Sequence, residues 1–200
     1  MHVSFFIAIF ATYFKIGNNM NNRDLNNKLK EDAKRIGIND EVYQKWNEDS
    51  SIDDLMKLYK ENLDFCISHK WPSKGFIKHH FDQTTLRNYG ILIDDTMIYP
   101  YRNQKRRFVY IKDYVLMGKS ESIIKYAFKP HACRIHVMDG SSVFVDVKYG
   151  AFMEIHLYGN SYANVTTDLV SMVKVVRHSF DAKIRKQGVV KTEDAFVYLK

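Results

Sequence analysis

The sequence predicts an α+β protein in which a small N-terminal helical head precedes a short β-solenoid with a roughly ten-residue strand repeat. Two patterns carry this prediction: apolar residues at helical spacing before residue 85, and alternating apolar blocks after residue 129. The composition is that of a globular chain, with 46% hydrophobic residues among 200. Three prolines and nine glycines exclude collagen-like and proline-rich architectures.

The repeat is visible when the chain after residue 128 is written in blocks of ten. Apolar side chains recur at the fifth and seventh positions, and small residues recur at the third, as expected of strands with one buried face. The fifth column is Cys133, Val143, Met153, Ala163 and Val173, and the seventh is Ile135, Val145, Ile155, Val165 and Val175. Turn residues such as Asp139-Gly140 and Gly159-Asn160 separate the blocks at a constant phase.

Two folds fit a ten-residue strand period. In an antiparallel β-meander each strand pairs with the next in reverse, whereas in a solenoid with two strands per coil each residue lies beside the residue 20 positions later. At that spacing Arg134, Glu154 and Lys174 fall in one outward row of alternating charge, which stabilises neighbouring strands. This row favours the solenoid, with the meander as the alternative.

Four short helices are predicted between residues 22 and 81. The first ends at Gly37, and the second begins at Asn39-Asp40, which is good N-cap chemistry. The third begins at Ser50-Ser51 and runs to Trp71-Pro72, because the residue before a proline avoids the helical region. Ser73 begins the fourth.

The chain is accordingly divided into four parts. Residues 1–19 form an apolar leader, which is non-native or flexible if the natural start is Met20. Residues 20–85 form the head, residues 86–128 form transition strands, and residues 129–200 form the β-repeat domain. The leader's apolar run is too short to span a bilayer. Two isolated cysteines favour a reducing compartment, so a cytoplasmic location is predicted, with export as the alternative if residues 1–19 are a signal peptide.

Positive charge is concentrated in the second half of the chain. Of the net charge of +7, residues 20–80 contribute none, and residues 81–200 contribute eighteen basic against twelve acidic side chains. Basic residues lie among aromatic residues in segment 99–110, a mixture typical of single-strand nucleic-acid grooves. The candidate nucleic-acid residues are Arg102, Lys105, Arg106 and Arg107, with a second basic patch over 183–191 that includes Lys183, Arg185 and Lys186.

Motifs of common enzymes and cofactor sites are absent from the sequence: it has no Walker loop, GxGxxG, GxSxG, HExxH or paired CxxC. No cofactor is predicted. Cys66, His69, His79 and His80 match no common zinc spacing. His136 and His156 are weak metal candidates, because the solenoid register stacks them on one outer face, where two rings could bind a metal ion or respond to pH.

The segment from Leu55 to Phe81 resembles a recurring segment in uncharacterised proteins of gut Bacteroidetes and their prophages or mobile elements. The residues that carry the resemblance are Asp64-Phe65-Cys66-Ile67, Pro72-Ser73 and Phe76-Ile77-Lys78. Those relatives look like a helical head followed by a β-repeat tail. The resemblance, over residues 20 to 190, implies an architecture and a genomic setting, but no activity and no functional residues.

Three functions are weighed on these observations. The first is a non-enzymatic structural or protein-interaction protein that offers flat faces to a protein partner or to itself, because the periodic positions are used by the core. The second is a nucleic-acid-binding protein that uses segment 99–110 and patch 183–191. The third is an enzyme with a site near His79, His80 or Asp82.

Overall fold

The structure, a computed structural model, describes residues 20–100, 111–127 and 132–196 of the chain. The chain divides into two compact units, residues 1–82 and residues 83–200. Within the described residues the first unit is helical, whereas the second contains one short helix followed by strands.

The first unit contains five helices among its described residues. They are α1 (Asn22–Arg35), α2 (Asp40–Lys45), α3 (Ile52–Glu61), α4 (Leu63–Ser68) and α5 (Lys74–His80). The side chains of Asn39, Ser51 and Ser73 accept backbone N–H groups at the starts of α2, α3 and α5. Each side chain satisfies a donor that lacks a partner within its helix, which is why these positions begin helices.

A buried polar network holds part of this unit together. Asn26 is fully buried, and its Nδ2 donates to the backbone oxygens of Asn22 (2.9 Å) and Ser50 (2.8 Å). Its Oδ1 accepts from Nε1 of the buried Trp46 at 3.0 Å. Because the polar atoms of Asn26 are partnered, it joins α1 to the segments around Trp46 and Ser50 without the cost of an unsatisfied buried group.

The third predicted helix is divided in two. Asn62 separates α3 from α4, and its Nδ2 donates to the backbone oxygen of Leu58 at 2.8 Å. An asparagine side chain that satisfies a helical carbonyl competes with continuation of the helix. The apolar stripe runs across this break, which is why the sequence pattern predicts one helix there.

The second unit begins with α6 (Gln83–Asn88), a helix that the sequence pattern did not predict. The strands that follow are β1 (Ile91–Ile93), β2 (Thr96–Tyr99), β3 (Asp113–Met117), β4 (Glu121–Ala127), β5 (Cys133–Val137), β6 (Ser142–Lys148), β7 (Phe152–Leu157), β8 (Tyr162–Thr167), β9 (Met172–Arg177), β10 (Lys183–Gln187) and β11 (Val190–Asp194). Odd-numbered strands form a six-stranded sheet and even-numbered strands a five-stranded sheet. Successive strands alternate between sheets, as the winding of a two-strand coil requires.

The predicted β-solenoid is confirmed, and the meander is excluded because the described strand pairs are all parallel. Met153 lies beside Val173, at the predicted spacing of 20 residues. Earlier coils are longer: Ile91 lies beside Val115. The segment predicted as transition strands therefore supplies the first four strands of the same two sheets, and its longer turns concealed the repeat.

The predicted apolar columns form the solenoid core. Strands β6 to β8 alternate strictly between buried residues and residues that are partly or fully exposed. In the seventh column Ile135, Ile155, Val165 and Val175 are each 0% exposed. Burying a side chain of this kind stabilises the fold by about 1.5–3 kcal/mol.

The coils turn at two corners. At the first corner the chain passes from the six-stranded to the five-stranded sheet, through turns such as Asp139-Gly140 and Gly159-Asn160. At the second corner it passes back, through turns at Tyr149-Gly150, at residues 168–170 and at Gly188-Val189.

Candidate interaction surface

The outer face of the five-stranded sheet has an apolar half and a basic half. One row across its strands, aligned by the backbone register, is Ile98, Ile123, Phe144, Asn164 and Arg185. Ile98 is 55% exposed and Ile123 is 37% exposed, so this half presents apolar surface to solvent. Arg185 and its strand neighbour Lys183 make the β10 end basic.

The second corner carries a ridge of exposed apolar side chains on three consecutive turns. We call Tyr149, Leu169, Val170 and Val189 the second-corner ridge. Leu169 is 90% exposed, Val170 73% and Tyr149 68%. Turn residues are ordinarily polar or glycine, because polar side chains hydrogen-bond the turn backbone and glycine adopts positive φ angles without steric cost. This ridge is therefore unusual for its position.

Hydrogen bonds to the Asp168 carboxylate stabilise the turn at residues 168–170, so this turn does not depend on its apolar side chains. Oδ1 of Asp168 accepts from the backbone N–H groups of Ser171 (2.8 Å) and Val170 (3.2 Å), and its Oδ2 accepts from that of Tyr149 on the previous turn (2.7 Å). Hydrogen bonding from the Ser171 side chain, and then from the backbone N–H of Tyr149, favours the carboxylate and lowers the pKa of Asp168. Asp168 fixes the backbone, and the side chains of Leu169 and Val170 remain available for other contacts.

The outer face of the six-stranded sheet carries the predicted row of alternating charge. Arg134, Glu154 and Lys174 are register neighbours, as predicted. Lys174 lies 3.3 Å from Glu154 and 3.0 Å from Glu193, whereas Nε of Arg134 donates to Asp113 at 2.6 Å. The row thus contains two groups of ion pairs, Arg134 with Asp113 and Lys174 with Glu154 and Glu193, which join neighbouring strands.

Beside this row four aromatic rings stack. His136 and His156 are register neighbours with ring centroids 4.9 Å apart, as the solenoid register predicted. Tyr158 and His178 continue the stack with centroids 4.3 Å apart, and Nδ1 of His156 lies 3.0 Å from Nε2 of His178. Burial and the adjacent His156 lower the pKa of His178, and Glu193 opposes this shift.

The histidine stack does not form a recognisable metal centre. Within residues 20–100, 111–127 and 132–196, no group of three or more His, Cys, Asp or Glu side chains is placed to hold a metal ion. His136 is 1% exposed and packs in the stack against His156. The rings of His136 and His156 contribute to packing of this face, and a response of these two rings to pH stays a prediction.

The predicted nucleic-acid residues are divided by the structure. Arg102, Lys105, Arg106 and Arg107 lie outside the described residues. Lys183 and Arg185 occupy the outer face of the five-stranded sheet, in register with Tyr162 and Asn164. Lys186, in contrast, is in register with the inward Val165, and its Nζ donates to Oγ1 of Thr192 at 3.2 Å. The patch therefore supplies two residues to one face and one to the open end of the core.

The described candidate residues of the first unit are divided between its core and its surface. Cys66 is buried, which raises the pKa of its thiol to about 12 and makes it a small apolar core residue. His69 is exposed and packs on Phe65, with ring centroids 4.3 Å apart. His80 contacts His79 edge to face, and burial followed by His79 and Lys28 lowers the pKa of His80.

The second-corner ridge was not found from the sequence. The alternating columns do not include Leu169 and Val170, which stand between blocks at the turn phase that Gly159-Asn160 occupy in the preceding turn. The occurrence of two apolar residues at a position where other blocks have turn residues is the sequence feature that indicates the ridge.

Searches of protein-family models, of curated proteins and of solved structures found no match to this chain. None of the helices that the structure describes is long and apolar enough to cross a membrane.

Proposed function

We propose that this chain is a non-enzymatic interaction protein whose β-solenoid is a rigid scaffold for docking to another protein surface. The observation that carries the proposal is the second-corner ridge. Leu169 and Val170 are 90% and 73% exposed on a turn whose backbone Asp168 already holds. Contiguous exposed apolar side chains on a rigid element are typical of protein–protein contact sites.

The architecture supports this function physically. The inward columns are filled by the core, so function rests with the outer faces and the corners. In repeat proteins each coil contacts its neighbours, and side chains on successive turns form an extended surface. A surface ordered in advance loses little conformational entropy on binding, which favours affinity.

Binding by the Leu169→Asp variant tests the proposal. A charge at the ridge centre should abolish capture of a different protein that the wild-type chain retains in stoichiometric amount, without lowering the thermal midpoint. Lys119→Asp, at an exposed turn of the first corner, is the matched control and should bind as wild type. Equal binding by wild type and Leu169→Asp, or no binding by either, contradicts the proposal.

A second candidate is nucleic-acid binding through the basic end of the five-stranded sheet. Lys183 and Arg185 share the outer face with Tyr162, whose ring could stack on a base. Arg185→Glu should weaken binding to single-stranded DNA or RNA and reduce its salt dependence. Lys186→Glu, at the open end of the core, is the matched control, and salt-independent binding contradicts this candidate.

A further inference from the structure

We propose that a second copy of this chain docks on the outer face of the five-stranded sheet, about a two-fold axis that runs across β2, β4 and β6. This inference rests on the proposed interaction function and names a partner and a surface distinct from the second-corner ridge. Its basis is one apolar row and the two charges that flank it.

The apolar row is continuous across three adjacent strands. Ile98 is in register with Ile123, and Ile123 with Phe144. Strands in a sheet lie about 4.8 Å apart, so the row extends over about 10 Å. Sheets that pack face to face do so through rows of this kind, with the strand directions of the two sheets nearly aligned.

The flanking charges make the face complementary to itself. Glu121 and Lys125 lie two residues before and two residues after Ile123 on β4, and all three side chains are exposed on the outer face. A two-fold axis along the apolar row reverses the strand direction of the second copy. Glu121 then faces Lys125 of the second copy, and Lys125 faces Glu121, whereas the three apolar residues face their own counterparts.

This complementarity favours a second copy over an unrelated partner. A two-fold interface uses the same patch twice, so opposite charges placed symmetrically about an apolar centre match in both directions at once. The β10 end behaves differently, because Arg185 would face itself there. That repulsion restricts the contact to the first three strands.

The expected dimer is weak. A contact centred on three strands lies at the small end of specific interfaces, which bury about 1,200–2,000 Å² in total. We therefore expect a dissociation constant on the order of micromolar.

Charge reversal tests this geometry by sedimentation velocity over a concentration series. Glu121→Lys alone places like charges against each other twice, as does Lys125→Glu alone, and each should raise the dissociation constant about tenfold or more. The double variant E121K/K125E should regain the wild-type constant. An equimolar mixture of the two single variants should form a heterodimer, because one chain then carries two positive charges and the other two negative.

Two controls distinguish this inference from the proposed function. Leu169→Asp alters the ridge and should leave the dimer intact, and thermal melts of every variant check that each folds. A chain that is monomeric over the whole series, or a dimer unaffected by both single reversals, overturns the inference. If protein binding is still lost in Leu169→Asp, the proposed function survives that failure; if the ridge variant binds as wild type, the proposed function fails separately.

Discussion

At its N-terminal end the solenoid carries α6 against β1, whereas at its C-terminal end β10 and β11 are exposed along most of their length. Arg87 on α6 donates two hydrogen bonds, of 2.7 and 2.6 Å, to the carboxylate of Asp95 in the first turn. Tyr99 on β2 also donates to the backbone oxygen of Arg87, at 3.3 Å. A helix that is bonded to the first coil covers the end of the core.

The last two strands that the structure describes carry polar and charged side chains at inward positions. Lys186 and Thr192 occupy positions that are in register with the inward Val165 and Val175, and their side chains are bonded to each other. Inward charges on edge strands discourage pairing with another sheet. The two described ends therefore differ: the first coil is packed against a helix, and the inward charge of the last described coil is expected to discourage pairing with other strands.

The largest difference between the ends should appear on truncation of core side chains. Leu92→Ala, in the 1%-exposed core of β1, should lower the free energy of unfolding by about 2–5 kcal/mol, because it leaves a cavity. Ile184→Ala, at the half-buried C-terminal end, should cost about 1 kcal/mol, since less apolar area is lost. Urea unfolding of both variants measures the contrast, and equal losses would show that the last coil packs as tightly as the first.

A smaller effect is expected from pH in the C-terminal coils. The lowered pKa of His178 means that the unfolded chain, with a histidine pKa near 6.5, takes up a proton at higher pH than the folded chain. The stability that His178 contributes is therefore present above pH 6.5 and lost as the pH falls through its lower folded-state pKa. The ionisable groups near His178 belong to His156, Glu154, Lys174 and Glu193.

The variant His178→Phe isolates this titration. Phenylalanine keeps a ring against Tyr158 and removes the ionisable group. Between about pH 7 and pH 5, where histidines titrate, the urea midpoint of the variant should fall less steeply than that of wild type. Parallel slopes in the two proteins would assign the acid sensitivity to other groups.

The smallest effect on stability is expected at the open end. Lys186→Val places an apolar residue at the inward position that is in register with Val165. The thermal midpoint should change little, because position 186 is exposed to solvent in the last described coil. The substitution should increase light scattering at high concentration, since it removes the inward charge from an edge strand. Lys183→Val, on the outward face of the same strand, is the control, and equal scattering by both variants would contradict the protective role of Lys186.

The sequence predicted the middle of the solenoid well and its ends poorly. Residues such as Val145 and Ile155 repeat at constant spacing because each coil packs on an equivalent coil. One apolar column therefore predicts which residues of a strand face the core and which residues of the neighbouring strand lie beside them. The first coils have longer turns, and α6 is only six residues long, so neither leaves a periodic signal. The stack of His136 on His156 followed directly from the register, but the contact between His156 and His178 crosses the row diagonally and could not be read from a column.

By itself the sequence determined the starts of α2, α3 and α5, the strand alternation and the winding of the central coils, since each depends on neighbours at short or constant separation along the chain. Only the tertiary structure decided that Lys186 belongs to an end of the core rather than to a basic face, that Asp168 frees Leu169 for contact, and that Glu121 and Lys125 flank an apolar row. Those facts depend on which strand is last, on bonds between successive turns and on the side of the sheet that faces water. Burial of this kind is a property of the whole packed unit and not of any local pattern.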